Sequence, residues 1–141
     1  IEQSKVWKRR HGGDLISLYP YIINAKDCMS KRMGSMKKYW QHALTVAEGL
    51  NKIEGVKTIP EVPVCNMFHV YFDVPKETIE GIFANIALKH NIVLAANIRN
   101  IDDLSCLSEL SFGDSFGLIP QELLNEAFSQ FDSEFKNFRI K

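Results

Sequence analysis

The sequence predicts an α/β chain of the α+β kind. It has a small, mainly antiparallel four-stranded sheet with helices packed on one face, preceded by long helices. Three observations predict it. Apolar residues recur every three or four positions through the first third of the chain. After Gly55 the texture changes to short β-rich runs separated by helical stripes. Nine Phe, four Tyr and two Trp, in a chain of 141 residues that is 45% hydrophobic, supply a core for a folded domain.

The elements follow in order. Residues 2–10 read as a helix whose basic last turn, Lys8, Arg9, Arg10 and His11, runs into Gly12-Gly13, a helix C-cap signal. Asp14 or Ser17 can start the next helix, with Pro20 in its first turn and Ile22, Ala25, Met29 and Met33 on one stripe. Gly34-Ser35 interrupts. A third helix carries Met36, Tyr39, Trp40, Ala43, Leu44, Ala47, Leu50 and Ile53 on one face. Val56–Ile59 and Met67–Asp73 read as strands, the second with Phe68, Val70 and Phe72 on one side. Pro75 opens a helix striped by Ile79, Ile82, Phe83, Ile86 and Ala87. Ile92–Ala96 is expected as the third strand, Asn97–Leu104 as a polar turn, and Cys106–Phe112 as the fourth strand. Pro120 opens the last helix, where Leu124, Ala127, Phe128, Phe131, Phe135 and Phe138 share a face. The expected division is a helical segment, 1–55, and a small α/β domain, 56–141.

Composition excludes several classes of function. Seventeen Lys+Arg balance seventeen Asp+Glu, so the excess positive charge that drives nucleic-acid binding is missing. No apolar run approaches the roughly 18 residues of a membrane span. Three widely spaced cysteines without a Cys-x-x-Cys pair predict free thiols in a reducing, cytoplasmic setting. The chain begins Ile1-Glu2-Gln3, without Met and with no secretory signal, which suggests a piece of a longer protein.

Few residues suggest chemistry by themselves. Lys5, Lys8, Arg9, Arg10 and His11 beside Gly12-Gly13 could hold a phosphate or carboxylate, or could simply complement a helix end. Neither phosphate-loop pattern, G-x-G-x-x-G nor G-x-x-x-x-G-K, occurs. His11, His42, His69 and His90 lack a second ligand at metal-binding spacing, so no metal site is expected. Glu109 falls on the outward half of a strand alternation, shared with Ser111. Arg99 lies in a polar segment where it could meet a carboxylate. No residue stands out as a catalytic nucleophile.

One stretch is more specific. Val6-Trp7-Lys8-Arg9-Arg10-His11-Gly12-Gly13-Asp14-Leu15-Ile16-Ser17-Leu18-Tyr19-Pro20-Tyr21 resembles the segment just after the cofactor lysine in the threonine aldolase and β-eliminating lyase family. Tyr39-Trp40-Gln41-His42-Ala43, Asn66-Met67-Phe68-His69-Val70 and Glu109-Leu110-Ser111-Phe112-Gly113-Asp114 are similar to that family's later landmarks, in order.

The resemblance implies the C-terminal portion of a pyridoxal-phosphate enzyme of aspartate-aminotransferase-like fold, acting on an amino acid as a homo-oligomer. It implies aldol cleavage of a β-hydroxy amino acid to glycine and an aldehyde. The Schiff-base lysine is expected upstream, so the fragment itself should bind no pyridoxal phosphate and be inactive. Positions where many such aldolases carry arginines read Ile16 and Ser108 or Glu109 here. That leaves Arg9, Arg10, His11 and Arg99 as the candidate cofactor- or substrate-binding residues. The competing reading is a stand-alone ligand-binding or dimerisation module without catalysis.

Overall fold

The computed structural model describes residues 2–13 and 17–139. Asp14 and Ile16, invoked above, lie outside them. Five helices and four strands follow in the order α1 (Glu2–Arg10), α2 (Tyr19–Arg32), α3 (Met36–Leu50), β1 (Val56–Ile59), β2 (Met67–Phe72), α4 (Lys76–His90), β3 (Arg99–Asp102), β4 (Ser105–Ser111) and α5 (Gln121–Arg139). Short 3-10 turns cover Met33–Ser35 and Asp114–Leu118. The chain divides into two compact units, 1–35 and 36–141.

The division expected at residue 55 therefore falls after Ser35. The reason is α3, whose Tyr39, Ala43, Val46, Ala47 and Leu50 are buried in the core of the second unit. In the first unit α2 begins at Tyr19, with Leu18 rather than Ser17 at its N-cap position, no side-chain cap hydrogen bond, and Pro20 in its opening turn. It buries no residue.

The sheet order is β1-β2-β4-β3, antiparallel throughout. Val56, Phe72 and Cys106 form one cross-strand row, and Thr58, Val70 and Ser108 the next. These side chains are buried beneath the helices. The alternate rows, Lys57-Tyr71-Leu107-Arg99 and Ile59-His69-Glu109, lie on the opposite, largely exposed face. The period of two in β2 thus sorts Phe68, Val70 and Phe72 from Met67, His69 and Tyr71, as pleating demands.

Helices α4 and α5 pack together over the covered face. Phe131 is fully buried, with the rings of Phe83, Phe135 and Phe72 centred 5.4, 5.5 and 6.1 Å away. Burying such a ring contributes roughly 1.5–3 kcal/mol. On the expected stripes of the second unit several residues are less buried than the pattern implied. Leu44, Ala87 and Phe128 are half-buried, while Met36, Trp40 and Phe138 are exposed. Phe138 sits on the last full turn of α5, and Trp40 turns its indole N–H to the Pro63 carbonyl at 2.8 Å.

The expected third strand is the principal correction. Residues 92–96 pair with no strand, and β3 lies instead at Arg99–Asp102, inside the segment expected to be a turn. Asn91 and Asn97 flank the unpaired run at φ 55° and 56°. These left-handed positions suit asparagine better than most residues and turn the chain at both ends.

Candidate functional site

The basic cluster sits where the sequence placed it, at the end of α1, and its geometry is that of a helix cap. Gly13 N–H donates to the Lys8 carbonyl at 2.7 Å and Gly12 N–H to that of Arg9 at 3.2 Å. Gly12 has φ 73°. This is the paired hydrogen-bond pattern of a Schellman motif, with its left-handed glycine. A Cβ on Gly13 would lie 2.6 Å from Lys8 Cγ, so both glycines have a structural role. Around this cap the Arg10 guanidinium lies 5.6 Å from the Trp7 ring centre, and the His11 ring stacks on Trp7 at 5.8 Å. Arg9, Arg10 and His11 are all exposed. They form a cationic, aromatic-backed helix end able to meet an anion.

Arg99 belongs to the other unit. It opens β3, opposite Leu107, on the sheet face that the helices leave uncovered. Of the alternative positions for a substrate arginine, Ser108 points to the covered face, where its hydroxyl donates to the Ala96 carbonyl at 2.8 Å. Glu109 lies on the open face, 3.7 Å from His69 Nε2.

The structure also joins landmarks that the sequence only set in order. Tyr39 donates its phenolic hydrogen bond to the Asp114 carboxylate, across 75 positions. The His42 ring packs on Phe116 at 4.8 Å. Asn66 and Phe112 exchange hydrogen bonds, side-chain amide to carbonyl at 2.7 Å and backbone N–H to carbonyl at 2.9 Å. The Tyr39–His42, Asn66 and Phe112–Asp114 segments thus meet at one end of the sheet. His42 Nδ1 is buried there without a hydrogen-bond partner. Its burial, and then the nearby Lys38 charge, hold the imidazole below its usual pKa. Nothing in the spacing of these residues signalled the Tyr39–Asp114 pair.

Two further titratable groups are buried in the second unit. His90 is buried, with Nε2 2.8 Å from Gln130 Oε1 and Nδ1 3.6 Å from Glu126. Burial, with the Glu77 and Glu80 charges adding to it, pushes the Cys106 thiol up to about 11, so it is not a ready nucleophile. Among the described residues no group of His, Cys, Asp and Glu could hold a metal. Nor is any described lysine buried. Lys76 is half-buried against Glu80, and Lys52 and Lys136, which line a surface groove, pair with Glu48 and Asp132. None is enclosed as an imine-forming lysine needs to be.

No protein-family model and no curated protein sequence matches the chain. Two crystal structures do. A provisionally named L-allo-threonine aldolase from Listeria monocytogenes EGD-E is 42% identical, with a TM-score of 0.83 over 94% of this chain. The chain belongs to the threonine aldolase and β-eliminating lyase family. A second member, from Exiguobacterium sp. 255-15, is provisionally named an aromatic amino acid β-eliminating lyase/threonine aldolase. It is 35% identical, with a TM-score of 0.81 over the same share. The chain spans 37% of the length of each of these aldolase-family proteins.

Proposed function

We propose that these residues are the C-terminal part of a pyridoxal-phosphate-dependent lyase that cleaves a threonine-like β-hydroxy amino acid to glycine and an aldehyde. The observation that supports this most is the 42% identity, over 94% of the chain, to the protein named for L-allo-threonine. Pyridoxal phosphate is the electron sink such a cleavage calls for. The resemblance sets this chain after the cofactor lysine, so the covalent attachment is assigned to the remainder of the protein.

In this reading the chain contributes a small domain and a set of cations. Arg9, Arg10, His11 and Arg99 are its candidates for holding a carboxylate or phosphate, and an arginine fork held on a carboxylate orients the bond to be broken. The enzyme works in the cytoplasm as a homo-oligomer on an amino-acid substrate, with neither nucleic acid nor membrane as a partner.

The test is to express the complete reading frame and incubate it with L-threonine and L-allo-threonine. Glycine and acetaldehyde are expected from the complete protein and from neither substrate with the 141-residue chain. Turnover by the chain alone, or none by the complete protein with either substrate, contradicts the proposal.

A further inference from the structure

Helix α3, strands β2 and β4 and helix α5 do not close completely on one another. Between them lies a cavity of about 360 Å³, within the second unit. It falls in the size range of small-molecule sites, about 300–1,000 Å³.

Its walls define the chemistry of an occupant. Val46, Leu110, Phe116, Leu124 and Phe128 are among the side chains that line it, and no Asp, Glu, Lys, Arg or His does. An amino acid, a phosphate or any other ion would lose its hydration there without a counter-charge. The few polar lining residues are Asn91, Ser111 and Ser115, all exposed. They can meet at most one neutral polar group at the rim.

The same cavity is flanked by the two segments that the sheet and the long helices leave unpaired. One is the 92–96 run between the left-handed Asn91 and Asn97. Its Ile92, Val93 and Leu94 line the cavity, and the Ser108 hydroxyl holds its Ala96 carbonyl. The other is the Asp114–Leu118 turn, which contributes Ser115 and Phe116. Segments without ladder hydrogen bonds open more readily than the helices and strands around them. They give the cavity a way in that a sealed core lacks.

We propose that this cavity is a binding site for a small, uncharged aromatic or branched aliphatic molecule. The probe is toluene, titrated into the complete protein and followed by methyl ¹H–¹³C spectra. The Val46, Leu110 and Leu124 methyls should shift saturably, the Ile22 and Met29 methyls of exposed α2 should not, and the melting midpoint should rise with toluene. Val46→Phe and Leu124→Phe each place a ring in the space, and a folded variant should lose the toluene response. Should both variants misfold, the map on the unmodified protein decides alone. Unmoved Val46, Leu110 and Leu124 methyls at saturating toluene, shifts confined to α2, or a response that survives in a folded filled variant would overturn the proposal.

Discussion

Gly55 is the position where one methyl group should do the most damage for its size. It sits between α3 and β1 at φ 89°, and a Cβ built there lies 2.2 Å from Asp73 Oδ1. That carboxylate cannot simply swing away. Its backbone N–H donates to the Gly55 carbonyl at 3.0 Å, its Oδ2 pairs with Arg139 at 3.2 Å, and its Oδ1 is buried without a partner. Two costs therefore add in Gly55→Ala. The left-handed backbone costs an L-residue roughly 1–2 kcal/mol. Displacing the carboxylate from Arg139 costs about 0.5–1 kcal/mol more, a small figure because both side chains are a third exposed and water screens the pair. The sum is about 1.5–3 kcal/mol, measured as a shift in urea unfolding at constant m. Asp73→Ala separates the two contributions. In that background the carboxylate is gone, and Gly55→Ala should cost only the backbone share, about 1–2 kcal/mol. A loss under about 0.5 kcal/mol in the native background, or equal losses in both, would refute the reasoning.

Further expectations rest on the core and the titratable groups. Phe131→Ala should cost about 3–5 kcal/mol, since its ring is fully buried against Phe72, Phe83 and Phe135; a urea-melt loss below about 1 kcal/mol would misplace the core. His42, held below its usual pKa by burial and Lys38, takes up its proton more readily unfolded than folded. Its contribution is therefore complete above about pH 6.5 and lost as pH falls toward the lower folded value; His42→Gln should flatten the melting profile between about pH 7 and 5, and identical profiles would contradict this. Cys106, buried and pushed up to about 11, should resist a disulfide thiol reagent in the native chain, react on unfolding, and leave exposed Cys65 to react first.

Much of the architecture was legible because burial imposes a period. The alternation of Phe68, Val70 and Phe72 and the stripe Ile79, Ile82, Phe83 and Ile86 each mark a side chain set that is buried in the structure. The third strand was not legible for the converse reason. Arg99–Asp102 is an exposed edge strand, its four residues all outside the core, so no apolar pattern marks it and its pairing with β4 comes from the backbone. Ile92–Ala96 reads as a strand because Ile92 is buried and Leu94 and Ala95 pack against the core, yet burial alone does not supply a hydrogen-bonding neighbour. A helical stripe likewise reports that α3 is covered but not what covers it.

At the candidate site, the cations Arg9, Arg10 and Arg99 could be named from composition and position. The helix C-cap read from Gly12-Gly13 is borne out by the Schellman hydrogen bonds, whereas the Tyr39–Asp114 contact, which joins segments 75 residues apart, had no signal in the sequence. The family resemblance supplied the order of these landmarks. Their meeting at one end of the sheet is a property of the fold.

The central claim is that this chain is a portion of a pyridoxal-phosphate lyase whose cofactor lysine lies elsewhere in the protein. The most direct measurement is borohydride reduction of the complete protein loaded with pyridoxal phosphate, followed by peptide mass spectrometry. The account predicts a single stoichiometric pyridoxyl-lysine on a peptide outside these 141 residues, and no adduct when the 141-residue chain is treated alone. A stoichiometric adduct on any lysine of this chain would contradict it.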